Sequence, residues 1–115
     1  MLQHVSLEVP ESEVRACVGF WERLGFTEVT PPPTLRRFTW VERGGTQIHL
    51  IPTEQPAIPR SGHAAVVVED FDAAVAALEE GGFSPQPTEQ AWGVPRAFVL
   101  DPAGHRVELM ASPPS

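Results

Sequence analysis

Two stretches of this chain repeat one another at a fixed interval of 59 residues, and that duplication constrains the fold more than any other feature. His4-Val5-Ser6-Leu7-Glu8-Val9 is answered by His63-Ala64-Ala65-Val66-Val67-Val68. Thr46-Gln47-Ile48-His49-Leu50-Ile51 is answered by the segment from His105 through Arg106-Val107-Glu108-Leu109-Met110, so that His4 corresponds to His63 and His49 to Glu108. A duplicated module follows, with a residue of metal-ligating type at each of four equivalent points.

Each half reads as a strand, a helix and three further strands. After the strand His4–Val9, Pro10-Glu11-Ser12 starts a helix whose apolar positions Val14, Cys17, Val18, Trp21 and Leu24 recur at helical spacing until Gly25 stops it. In the second half Asp70 or Asp72 caps a helix carrying Phe71, Val75 and Leu78, and Gly81-Gly82 stops it. Each helix is followed by a short strand, a proline-containing loop and a hairpin, with turns at Glu42-Arg43-Gly44-Gly45 and Asp101-Pro102-Ala103-Gly104. The class is α+β, as two tandem βαβββ modules. A chain of 115 residues buries one core rather than two, so the modules are expected to form a single domain over 1–115. Module one covers about 1–53, a proline-rich linker about 54–61, module two about 62–111, and 112–115 reads as a frayed tail.

Strand alternation tells which face carries chemistry. Val5, Leu7 and Val9 oppose His4, Ser6 and Glu8; Ile48 and Leu50 oppose Gln47, His49 and Ile51; Val107 and Leu109 oppose Arg106, Glu108 and Met110. Val66 and Val68 share a face opposite His63, so all four candidate ligands lie opposite the apolar face that a helix would cover. His4, His49, His63 and Glu108 form the expected metal set, three imidazoles and a carboxylate suiting a divalent Zn, Ni, Co, Mn or Fe ion. Glu108 reads as either a charge-balancing ligand or a catalytic base. His105, beside a hairpin glycine, reads as a solvated turn residue.

A substrate pocket is expected from Arg37, Trp40, Trp92, Arg96 and Phe98. Arg37 and Arg96 share the repeat interval of 59, and an arginine there would either fork onto a substrate carboxylate or form a surface ion pair. The aromatics, with Phe38, would wall an apolar cavity or simply join the core. A net charge of −7, with eight arginines and no lysine, excludes a basic stripe for nucleic acid. No apolar run approaches a membrane span, and the N-terminus lacks a signal-like segment, so the expected partner is a small molecule and the expected location is cytoplasmic. The lone Cys17, on an apolar helical face, reads as an inert core thiol.

Four segments together resemble the vicinal oxygen chelate superfamily: the run from His4 to Val9, Phe20-Trp21-Glu22-Arg23-Leu24-Gly25-Phe26, the run from His63 to Asp72, and the run from Phe98 to Leu109. That superfamily includes glyoxalase I, methylmalonyl-CoA epimerase, extradiol dioxygenases, fosfomycin-resistance transferases and bleomycin-binding proteins. The resemblance implies that the modules form a shared, cupped, barrel-like mixed sheet with flanking helices. It makes His4 and His63 the first-strand ligands of the modules and Glu108 the last-strand ligand. It also implies a homodimer. His49 departs from the pattern, standing where metal-binding glyoxalases and epimerases carry Glu or Gln, which leaves one carboxylate for a proton shuttle. The transferases' Lys and Tyr are absent from this chain. The resemblance implies a divalent-metal-dependent enzyme of the glyoxalase I type, a lyase or isomerase acting on a dicarbonyl or thiohemiacetal-like substrate. A small-molecule (antibiotic) sequestration protein and an Fe(II) dioxygenase are the other readings.

Overall fold

In the computed structural model, residues 1–114 are described, and the chain divides into two units, Met1–Ile58 and Pro59–Ser115. Alternating residues of the first unit build β1 (His4–Val9), whose Val9 is fully buried while His4, Ser6 and Glu8 are exposed. A 3-10 turn at Glu11–Glu13 leads into α1 (Val14–Glu22), followed by β2 (Thr27–Val29), β3 (Thr39–Arg43) and β4 (Thr46–Pro52). The sheet runs β1-β4-β3-β2, with β1 parallel to β4 and the other pairs antiparallel.

α1 buries Val14, Cys17, Val18, Phe20 and Trp21, and it contacts β2, β3 and β4. Burying each large side chain of that stripe is worth about 1.5–3 kcal/mol. Trp21 is fully buried, with the rings of Phe20 and Phe26 edge-on at 5.3 and 5.0 Å. Gly25 stops the helix at φ +89°, a left-handed value that lets the Phe26 N–H turn back to the Trp21 carbonyl at 3.1 Å.

The second unit contains β5 (Ala64–Val67), α2 (Phe71–Glu80), β6 (Gln86–Pro87), β7 (Arg96–Leu100) and β8 (Arg106–Met110), in the sheet order β5-β8-β7-β6. β5 is parallel to β8, as β1 is to β4. Asp70 caps α2 by accepting the Ala73 N–H at 3.0 Å, a contact worth about 1 kcal/mol. Leu78 is fully buried, and Phe71 and Val75 are half-buried.

The α+β class and the βαβββ order of both modules are as expected: the eight strands form two four-stranded mixed sheets, with β1 and β5 at their edges, and the sheets do not close into a barrel. β6 is an edge strand, where the missing N–H of Pro87 removes no interior ladder bond. Some details differ. His63 precedes β5 rather than opening it. The end of the second unit is less frayed than expected, since the Ser112 carbonyl accepts the Trp92 indole N–H at 3.0 Å; Ser115 lies outside the described residues.

The two hairpins also differ. In the first, Arg43 pairs with Thr46 across Gly44-Gly45, both at positive φ, as a two-residue turn that matches strand twist requires. In the second, Leu100 pairs with Arg106, and the loop between them folds around Asp101, whose Oδ1 accepts the N–H groups of Ala103 and His105 at 2.9 and 2.8 Å. That loop carries His105 inward. It is 4% exposed, not a solvated turn residue.

Candidate functional site

Register places the chemistry within each unit. In the first, His4 pairs with Gln47, Ser6 with His49, and Trp40 with His49, so these side chains share one face. The rings of His4, His49 and Trp40 form a stack: His49 lies 4.0 Å from His4 at 12° and 4.0 Å from Trp40 at 4°. Gln47 donates from Nε2 to Glu42 Oε1 at 2.8 Å, which turns its Oε1 toward His49 Nε2 at 2.7 Å. The Gln47 oxygen only accepts, so His49 carries its proton on Nε2 and keeps its Nδ1 lone pair. Burial, and then the neighbouring His4, hold the His49 pKa below the ordinary imidazole value. His4 is exposed, and its Nδ1–H donates to Gln3 Oε1 at 2.6 Å.

In the second unit Glu108 pairs in register with Ala65 and Phe98. It is 5% exposed, and each oxygen has a partner: His63 Nε2 lies 3.0 Å from Oε1, and Arg96 Nε donates to Oε2 at 3.0 Å. His63 Nδ1–H donates to the Ser61 carbonyl at 2.7 Å. Phe98 meets the His63 ring edge-on at 5.3 Å. Arg96 also donates from Nη1 to the Glu89 carbonyl at 2.9 Å and lies 4.6 Å over the Trp92 ring. Its guanidinium is therefore committed to the chain rather than held ready for a substrate fork.

The four expected ligands are thus seen as two pairs. Among the described residues no group of three or more His, Cys, Asp or Glu side chains is gathered to hold one ion. The His63–Glu108 pair fits a divalent metal: two ligand atoms about 2.1 Å from one ion lie about 3.0–3.4 Å apart, and the Ser61 carbonyl orients the imidazole as an outer-shell partner does. The His4–His49 pair, as arranged, does not. Imidazole lone pairs lie in the ring plane, and an ion about 2.1 Å from one of two rings stacked at 4.0 Å cannot lie in both planes.

Arg37 is corrected as the repeat counterpart of Arg96. Trp40 faces His49 and Phe98 faces Glu108, so β3 and β7 are offset by 58 residues while β4 and β8 are offset by 59, the chain taking one more residue to pass from Phe98 to Glu108 than from Trp40 to His49. The counterpart of Arg96 is Phe38. Arg37 donates instead to the Thr34 carbonyl at 3.2 Å and lies 4.2 Å over the Phe38 ring. Gln47, Glu42 and the Ser61 carbonyl were missed by sequence reasoning. Gln47 was signalled only by sharing the His49 face two residues away.

The sequence matches the profile of the Glyoxalase/Bleomycin resistance protein/Dioxygenase superfamily over residues 2–109. Among solved structures, a Bacillus anthracis protein assigned to the glyoxalase family is similar at 25% identity and a TM-score of 0.85, over 96% of this chain and 93% of that one. The fold is also shared with fosfomycin resistance protein FosX from Mesorhizobium loti, at 19% identity and a TM-score of 0.76, over 98% of this chain and 92% of that one. Lactoylglutathione lyase from Agrobacterium tumefaciens shares it at 16% identity and a TM-score of 0.73, over 96% and 92%. A comparison with curated proteins gave no match. With its profile match spanning both βαβββ modules, the chain belongs to the Glyoxalase/Bleomycin resistance protein/Dioxygenase superfamily.

Proposed function

We propose that this protein is a divalent-metal-dependent enzyme of the glyoxalase I type, acting on a small oxygen-rich substrate of the dicarbonyl or thiohemiacetal kind. The observation that carries the reading is the approach of His63 Nε2 to Glu108 Oε1 at 3.0 Å, the spacing of adjacent ligands on one ion. A bound divalent ion would polarise two neighbouring substrate oxygens. The Ser61 carbonyl, accepting from Nδ1–H, orients the His63 ring with Nε2 facing the site. Arg96 fastens Glu108 Oε2, which leaves Oε1 as the atom that holds the ion or takes a proton from the substrate.

The test has two parts. Elemental analysis after loading with Zn, Ni, Co, Mn or Fe should show uptake that His63→Ala and Glu108→Ala each weaken by roughly tenfold or more. Deuterium exchange at the carbon beside a carbonyl of a bound substrate analogue should then be lost in Glu108→Gln, whose amide oxygen still coordinates but accepts no proton. No metal uptake by the wild type refutes the reading.

A second reading is favoured by one observation: both oxygens of Glu108 already have partners, as suits a protein that sequesters a small molecule without turnover. Tight ligand binding with no exchange in the wild type supports it.

A further inference from the structure

The second unit contains a cavity of about 620 Å³ along β6 and β7. It falls in the usual range for small-molecule sites, about 300–1,000 Å³. Phe83, Phe98, Val99 and Leu100 make its walls mainly apolar, with Gln86 and Arg106 as polar members. Leu100 is 58% exposed, a large apolar side chain whose open face borders the cavity. Phe98 links the cavity to the candidate metal pair, because the ring that lines it also meets His63 edge-on.

Arg106 gives the cavity its sign. It pairs with Leu100 across the strands and lies on the same face of β8 as Glu108. Its guanidinium stands 5.1 Å over the Phe98 ring. The chain has fifteen acidic and eight basic residues, yet among the described residues no carboxylate forms an ion pair with Arg106, and none lines the cavity. A cation resting on an aromatic wall, at the rim of an apolar cavity and without an internal anion, is complementary to a planar carboxylate carried on an apolar body.

The geometry points to this cavity as the binding site for an aryl or branched-alkyl carboxylate, with the apolar body between Phe83, Phe98 and Leu100 and the carboxylate on Arg106. The inference rests on the function proposed above only in treating this occupant as the non-chelating end of the substrate. Binding itself needs no metal.

The probes are 3-phenylpropionate, its neutral amide 3-phenylpropionamide, and acetate, titrated calorimetrically into the full chain in EDTA. Backbone amide shifts of residues 82–86 and 98–100 report the location. 3-Phenylpropionate should bind at least about tenfold more tightly than the amide or acetate, because a hydrogen bond to a charged group is at stake. Arg106→Met should remove that preference, lowering the affinity for the acid to about that for the amide. Leu100→Trp, at an exposed position that tolerates a larger side chain, should fill the cavity and weaken acid and amide alike. Equal binding of acid and amide, an Arg106→Met variant that behaves like wild type, or shifts confined to other segments would each overturn the inference. The two proposals fail separately: metal uptake without 3-phenylpropionate binding removes the carboxylate site alone, and Arg106-dependent binding without metal uptake removes the metalloenzyme reading alone.

Discussion

Replacing Arg96 with Met should expose how the Glu108 carboxylate is kept in place. The methionine retains most of the apolar stem but removes the Nε–H that donates to Oε2 at 3.0 Å. The Arg96 side chain is 13% exposed and that of Glu108 7%, so solvent does little to replace the lost donor. A hydrogen bond to a charged group contributes about 1.5–3 kcal/mol, and breaking a buried pair costs about 3–5. Glu108 keeps His63 as a partner, which sets the expected loss near the lower end, about 3 kcal/mol. The assay is urea unfolding of wild type, Arg96→Met, Glu108→Gln and the double variant, all in EDTA so that no metal contributes. The double variant should be less destabilised than the sum of the single losses by about 1.5–3 kcal/mol. If the losses add to within about 0.5 kcal/mol, the ion pair is not what holds Glu108, and the reasoning from geometry fails.

Trp21→Ala should cost about 3–5 kcal/mol in urea unfolding, because Trp21 is fully buried between Phe20 and Phe26; a loss under about 1 kcal/mol would mean that α1 does not depend on it. The Arg15–Glu28 pair is bidentate, but its side chains are 69% and 41% exposed, so Arg15→Ala should change stability by less than about 1 kcal/mol, and a larger loss would contradict solvent screening there. Burial pushes the Asp101 carboxyl above the ordinary aspartate value, against the N–H donors of His105, Ala103 and Gly104 that pull it down. A carboxyl raised on folding favours the folded state below its unfolded value, about pH 4, and that contribution is lost as pH rises through the raised value. Wild-type urea midpoints should therefore decline with rising pH relative to Asp101→Asn, and parallel profiles would count against the assignment.

What the sequence discloses is what depends on periodicity. Alternation in His4–Val9 and around His49 and Glu108 assigns faces, because side chains in a strand alternate whatever the neighbouring strands do. Helix stops at Gly25 and Gly82 are legible because left-handed backbone is open to glycine, and both take it, at φ +89° and +86°. What escapes is what depends on contacts made across the sheet. The one extra residue between equivalent paired positions of the second hairpin shifts β3 against β7, and no constant interval discloses it. His105 looks solvated from its glycine neighbour, yet the Asp101 carboxylate folds the loop back and buries it. Four ligand-type residues at equivalent positions suggest one symmetric set, but the pairs differ because one contains a carboxylate that recruits Arg96 and the other an imidazole that stacks on Trp40.

The shifted register also makes the two modules unequal hosts for negative charge. In the second, the strand beside Glu108 supplies a guanidinium two residues before Phe98; in the first, the corresponding position two residues before Trp40 is Phe38, a neutral ring just ahead of β3. A carboxylate introduced by His49→Glu would enter a slot 7% exposed between two flat rings. Converting one module's chemistry into the other's is therefore a paired change, His49→Glu together with Phe38→Arg. The duplicated chain can diverge into two working halves, but it cannot be restored to symmetry one residue at a time.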